Sequence, residues 1–362
     1  MIDFSNEFQK IKKILEDIPK KSKILILSHL DPDGITSAYV FAKILDNYKL
    51  KYKKNYSIWL VENSFRQKAQ ENENTKRNMK KYDAIFTLDF SLNDYSDFND
   101  KITCVIDHHK LKTNANIEIN PAFNVTQSEL PSASAVVYAL YDYLFGEDSV
   151  VKKLAFIGAI NDLMAFASLP YLKIDVEDSD YFINKQILDI YYSYNTLFYL
   201  IEEHMEKEIL EYLLKNVKDN LEPLLNIPED WEKVLLQRMH DERKITRTIL
   251  KRVVEYPEKK IIMLDVGSEA DKYFQKIKVT LNSLKSENVS FIFKKLPNNL
   301  GYRVSGRAQK GTDLVQLIQF LKTKIPELQG GGHPPAAGFY FKPQYYDEVK
   351  ELILENMHKF RE

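Results

Sequence analysis

Short apolar runs that break off into loops rich in aspartate and histidine recur through the first half of the chain, and they leave few folds open. Lys23-Ile24-Leu25-Ile26-Leu27 is too short for a helix core and reads as a buried strand. It ends in Ser-His-Leu-Asp-Pro-Asp-Gly, ahead of the helix-periodic segment Ile35 to Leu45. Ser57 to Val61, Ala84 to Leu88 and Ile102 to Ile106 repeat the strand pattern, with a polar helical stretch from Phe65 to Lys81 between the first two. Strands alternating with helices imply an α/β fold with a doubly wound parallel sheet covered on both faces. Ser132 to Phe145 and Val150 to Asp162 read as helices that close this domain.

The remainder changes character. Ser179 to Val254 is rich in Glu, Lys, Leu and Tyr and poor in glycine, which fits amphipathic helices. Strand patterns return at Lys260 to Val266, Val289 to Lys295 and Tyr302 to Gly306, followed by a helix from Thr312 to Thr323, a glycine-rich turn and a strand from Ala337 to Phe341. At 362 residues the chain is long enough for two cores. The expected organisation is a first α/β domain over residues 1–190, a helical connector over 191–256 and a smaller α/β domain over 257–362.

Net charge is -1, so the chain is no general polycation, and contact with a polyanion must come from a local basic surface or a bound metal. A single cysteine, Cys104, sits in an apolar run, which excludes an internal disulfide and suits core packing. No stretch approaches the ~18 apolar residues of a membrane span. The N-terminus is helix-periodic and lacks the apolar core and cleavage site of a signal peptide, so a cytoplasmic protein with no membrane partner is expected.

In doubly wound sheets ligands bind beyond the carboxyl ends of the strands. There the sequence places His29, Asp31 and Asp33 after the first strand, Asp89 after the third, and Asp107, His108 and His109 after the fourth. Asp162 ends an otherwise apolar helix. Each motif has a plainer reading alone: Asp-Pro-Asp-Gly as a turn, Asp89 or Asp162 as a cap, His-His as a surface pair. Their coincidence argues otherwise, because several strand ends each deliver a ligand type and three of the seven histidines fall in these loops. Carboxylates mixed with imidazoles suit Mn²⁺, with Mg²⁺ or Co²⁺ as substitutes. Two such ions ~3.5–4 Å apart would activate a water and offset the charge of phosphate oxygens. In the last third, Gly330-Gly331-Gly332-His333 offers free backbone N–H groups for an anion, and Arg307, beside Ser305, suits a bidentate phosphate contact. A flexible hairpin and a surface salt bridge are the respective alternatives.

Taken in order, His-x-Asp-x-Asp-Gly, Leu-Asp-Phe-Ser, Asp-His-His, Gly-x-x-x-Asp and Gly-Gly-Gly-His-x-x-Ala-Ala-Gly resemble the DHH phosphoesterases that carry the DHH-associated C-terminal domain, and among these the RecJ-like exonucleases, especially compact archaeal ones. The resemblance runs from about Lys23 to Phe341. It implies that His29 and Asp31 hold one metal, that Asp33, His108 and Asp162 hold a second, and that Asp89 bridges both. It further implies that His109 lies near the scissile phosphate and that Asp107 orients a histidine ring. Ser305, Arg307, Gly330, Gly331, Gly332 and His333 would grip a substrate phosphate. The implied activity is an exonuclease on single-stranded DNA or RNA that releases 5′-mononucleotides. A nano-RNase that degrades short oligonucleotides, or an adenosine bisphosphate phosphatase, is one alternative, and a replication-associated scaffold with weak or no activity is another; replication or RNA-processing proteins are the protein partners the resemblance suggests.

Overall fold

A computed structural model describes residues 2–126, 129–162, 164–174, 185–266, 277, 288–308 and 311–361, apart from the side chains of 185–189, 191 and 333. The chain divides into two compact units, Met1–Leu235 and Leu236–Glu362, and the helix Glu229–Leu250 runs across the division. Among the described residues no helix is long and apolar enough to cross a membrane.

The first unit is built on a five-stranded, wholly parallel sheet: β1 (Ile24–His29), β2 (Tyr56–Val61), β3 (Ala84–Leu88), β4 (Ile102–Ile106) and β5 (Ile117–Ile119), in the order β2-β1-β3-β4-β5. Ile24 to Leu27 are all fully buried. Alternate residues serve opposite faces, which is why the strand is apolar without interruption. Ile24 and Ile26 join the core beneath α1 (Ser5–Asp17) and α2 (Pro32–Asn47), while Leu25 and Leu27 pack toward Ala69 and Met79 of α3 (Phe65–Glu71) and α4 (Glu73–Met79). The sheet is therefore doubly wound, as the alternation of elements implies. The helix expected over Phe65 to Lys81 is two helices, because the Asn72 side chain accepts from Thr75 N at 3.0 Å and starts a second one. The fifth strand, only three residues long, has no pattern of its own in the sequence.

Two helices, α5 (Ala133–Phe145) and α6 (Ser149–Asn161), pack with α2 in the main core. Gly158 is required there. A Cβ at that position would lie 2.3 Å from Thr36 Oγ1, 2.5 Å from Ser134 Oγ and 2.7 Å from Asp33 Oδ1.

The second unit holds a mixed sheet: β6 (Val254–Tyr256), β7 (Ile261–Val266), β8 (Val289–Lys295), β9 (Tyr302–Arg307), β10 (Gln329–His333) and β11 (Ala336–Phe341), in the order β10-β11-β9-β8-β7-β6. Among the described residues of this sheet only β7 and β8 pair in parallel. Helices Leu314–Lys324 and Tyr346–Asn356 cover one face through Phe291, Val304, Phe339 and their neighbours. On the other face Ile249, Ile262, Leu264 and Ile292 form a smaller cluster. The glycine run, expected as a turn, is instead the edge strand β10. Its register with β11 is Gly330↔Phe339, Gly331↔Gly338 and Gly332↔Ala337, and the reversal falls on Pro334-Pro335.

Candidate metal centre

The strand order places the switch point of the first sheet between β1 and β3, because the chain leaves β1 for β2 on one side and returns to β3 on the other. That is where loops diverge and ligands fit. The β1 loop turns immediately into α2. The side chain of Asp31 caps it, accepting from Gly34 N at 2.9 Å, and a Cβ on Gly34 would stand 2.1 Å from the carbonyl oxygen of His29. Only glycine allows the helix to start so close to the strand end.

Three strand ends and one helix end meet here. Ligand-type atoms of Asp33, Asp89, His108 and Asp162 all lie within 4.8 Å of one another, as do those of His29, Asp31 and Asp89. Those of Asp89, Asp107, His108 and His109 form a third such set, and Asp89 is common to all three. His29 Nδ1 is 3.0 Å from Asp31 Oδ2 and 3.7 Å from Asp89 Oδ2, and His108 Nε2 is 3.1 Å from Asp89 Oδ1 and 3.3 Å from Asp162 Oδ2. These approaches are near but poorly aligned: His29 Nδ1 and both carboxylate oxygens of Asp89 are buried without a hydrogen bond. Asp89 also adopts a left-handed backbone, φ 52°, its N–H tied to Ile106 O at 2.9 Å. A non-glycine residue in that conformation is strained and is held by its surroundings.

Asp33 differs from Asp89, since both its oxygens have partners. Oδ2 accepts from Ala133 N at 2.9 Å, and Oδ1 accepts from Ser134 N at 3.2 Å and from the Ser134 hydroxyl. The first turn of α5 thus anchors this carboxylate, a placement the free N–H groups of a helix start favour. Asp107 is fully buried and accepts from Ser91 Oγ at 2.9 Å, from His108 N at 2.7 Å and from His109 N at 3.1 Å. It also contacts His109 Nδ1 at 2.8 Å, and the His109 side chain is 45% exposed.

Crowding of acids sets the electrostatics. Burial, then the charges of Asp31 and Asp33, push Asp89 well above the usual carboxylate range. Burial and the charge of Asp162 push Asp33 up to about 7. Burial would also raise Asp107, but hydrogen bonding and charge from His109 outweigh it and hold Asp107 at about 2. For His108, burial disfavours the cation, yet Asp162 and Asp89 raise it well above the ordinary imidazole value. His29 rises for the same kind of reason, through Asp31, with burial and the charge of Arg66 opposing. So many acids in one buried place need cations to balance them.

Arg66 gave no signal in the sequence. Its Nε donates to Ser91 O at 2.8 Å, its guanidinium lies 4.8 Å from the centroid of Phe90, and among the described residues no carboxylate pairs with it. Ser91 and Ser134 belong to stretches the sequence does mark, the Leu-Asp-Phe-Ser motif and the helix expected over Ser132 to Phe145, but their hydrogen bonds are visible only in three dimensions.

In the second unit the register sorts the remaining candidates by face. Residues directly opposite in antiparallel strands point the same way. Ser305, Gly338 and Gly331 form one row across β9, β11 and β10, and Arg307 and Ala336 form the next row on the same face, where the backbone of His333 pairs with Ala336. The side chain of His333 lies outside the described residues. Gly330 and Gly332 have the opposite parity, and a Cβ on either would come within 2.4–2.6 Å of β11. Gly331 faces open space. Arg307 donates from Nη1 to Gly306 O at 3.0 Å, and among the described residues it has no acidic partner. Burial lowers its pKa.

The sequence matches the DHH family, N-terminal domain, over residues 23–168 and the DHHA1 domain over residues 277–359. No curated protein matches it by sequence. Among solved structures it is similar to RecJ in complex with Mn²⁺ from Thermus thermophilus, with a TM-score of 0.66 and 14% identity, covering 100% of this chain and 56% of that one. The chain therefore spans little more than half the length of that RecJ. It is also similar to an exonuclease RecJ bound to manganese (TM-score 0.63, 15% identity, 99% and 96% coverage). A third likeness is to the DHH domain of a member of the s1p family of ribosomal proteins (TM-score 0.71, 16% identity, 99% and 91% coverage). At these identities the likeness is one of fold.

Proposed function

The chain belongs to the DHH superfamily, and on that premise we propose that it is a two-metal phosphodiesterase acting as an exonuclease on single-stranded DNA or RNA and releasing 5′-mononucleotides. One observation carries the proposal: Asp89, whose oxygens are buried with no hydrogen bond, belongs both to the set with His29 and Asp31 and to the set with Asp33, His108 and Asp162. Hard oxygen donors with two imidazoles and no thiolate suit Mn²⁺, with Mg²⁺ or Co²⁺ in its place. His29, Asp31 and Asp89 would hold one cation, and Asp33, Asp89, His108 and Asp162 the other. Bound there, such cations lower the pKa of water and neutralise phosphate oxygens.

The protein's own groups do the rest. Asp107, ionised at neutral pH, keeps the proton of His109 on Nδ1 and fixes the ring. When the ring is also protonated at Nε2, His109 can donate from there to a non-bridging oxygen or to the leaving oxygen. Arg66, whose charge acts on His29 and which has no carboxylate partner among the described residues, would meet a phosphate beside the cluster. In the second unit, by itself, Ser305, Arg307 and the open strip at Gly331 would receive a phosphate.

The test is to digest 5′- and 3′-labelled single strands and dinucleotides of both sugars with Mn²⁺, comparing the wild type with Asp89→Asn. The expected result is release of mononucleotides from the strands, reduced at least about a thousandfold in the variant. Activity confined to dinucleotides would overturn the exonuclease assignment, and equal activity in the variant would overturn the shared role of Asp89.

A further inference from the structure

The segment that follows Asp162 makes a contact with the metal centre that none of its acids or imidazoles explains. Met164 Sδ lies 3.0 Å from His108 Nδ1, on the opposite side of the ring from Nε2, which faces Asp89 and Asp162. His108 is buried, and among the described residues the sulfur is the partner of that nitrogen. A thioether accepts a hydrogen bond but cannot donate one, so the nitrogen facing it must carry the proton. With Nδ1 protonated, a neutral ring has its lone pair on Nε2, directed at the carboxylates.

Met164 is fixed in turn. Its N–H donates to Ala159 O at 2.9 Å, which folds the chain back against the end of α6. Two residues apart, Asp162 and Met164 therefore reach opposite nitrogens of one imidazole. We propose that Met164 is a positioning residue, which selects the tautomer and the ring plane of His108 so that Nε2 faces a bound cation. The proposal rests on the metal-centre reading above. Histidine ligands commonly have a carboxylate or carbonyl as this outer partner. A neutral, polarizable thioether orients the ring without adding a negative charge beside Asp33, Asp89 and Asp162.

The test measures Mn²⁺ affinity of the full chain by EPR titration, together with the ring N–H proton of His108 in the Mg²⁺-loaded protein by NMR. Met164→Leu keeps the bulk and removes the acceptor. It is expected to weaken Mn²⁺ binding about tenfold and to lose the exchange-protected ring proton. Met164→Gln returns a carbonyl oxygen and is expected to bring affinity back to within about threefold of wild type. Asp89→Ala separates the two levels of the argument, since it must abolish paired binding whatever Met164 does. Unchanged affinity and an unchanged ring proton in Met164→Leu overturn the role of Met164 and leave the metal centre standing. Wild-type binding by Asp89→Ala, or no binding by the wild type, overturns the metal centre and this proposal with it. Should Met164→Leu fail to fold, the wild type decides: a protected proton on Nδ1 supports the role, and its absence overturns it.

Discussion

In the first sheet the candidate ligands stand at strand ends or beyond them, whereas in the second the candidate phosphate contacts belong to the paired strands themselves. The difference follows from strand direction. Parallel strands all end on one edge, so the loops after β1, β3 and β4 are brought together whatever their sequence separation. An antiparallel sheet has no such common edge. Register selects which side chains share a face, and a shift of one residue would turn Ser305 and Arg307 toward the helices. The first arrangement tolerates irregular backbone, as at Asp89, while the second demands regular pairing and uses glycine where β10 meets β11 closely.

If that contrast is right, damage to a strand end should act on the first site through backbone displacement. Gly34→Ala places a methyl group against His29 O and should cost ~3 kcal/mol or more, measured as a lower denaturant midpoint with weaker Mn²⁺ binding. Unchanged stability would mean that α2 can start farther from β1 than it does.

The crowded acids predict a pH response in the first unit alone. Asp33 binds its proton up to about pH 7 when folded but only to its ordinary value near 3.8 when unfolded. Between those values the folded state holds more protons, so its stability falls as pH rises. The raised Asp89 acts in the same direction. His29 and His108 do so as well: their contribution is complete below about pH 6.5 and is lost as pH climbs through their raised folded values. Asp107 contributes the opposite trend, but only below the ordinary carboxylate range. The metal-free protein should therefore melt at lower temperature at about pH 8 than at about pH 5. With Mn²⁺ the order should reverse, because ligands bind deprotonated. Calorimetry with and without the ion checks both signs.

A smaller effect is expected in the second unit. Arg307→Ala should raise KM for a single strand by roughly 10- to 100-fold, the loss of a charge-assisted phosphate contact, and leave Mn²⁺ affinity unchanged. A matching fall in Mn²⁺ affinity would erase the distinction between the two sheets.

Much of the fold could be read from the chain because its signals are local: apolar runs for the inner strands, period for α2, α5 and α6, and Gly34 at a tight turn. The grouping of strand-end acids and histidines followed from topology once the strands were assigned. What escaped depends on contacts between distant residues. Ile117–Ile119 and Val254–Tyr256 are strands only because a neighbour pairs with them. Gly330 to Gly332 have turn composition, yet they become a strand because β11 offers an edge too close for any Cβ at two of the three positions. Arg66 and Met164 lie in no motif, and their significance comes from Ser91, Phe90 and His108.

The claim on which the rest depends is that Asp89 joins two cation sites. Titrating the metal-free protein with Mn²⁺ and recording EPR spectra tests it directly. The account predicts two ions per chain with a spin-coupled signal, replaced in Asp89→Ala by a single uncoupled ion or none. Two bound ions without coupling, or a coupled pair that survives the substitution, would contradict it.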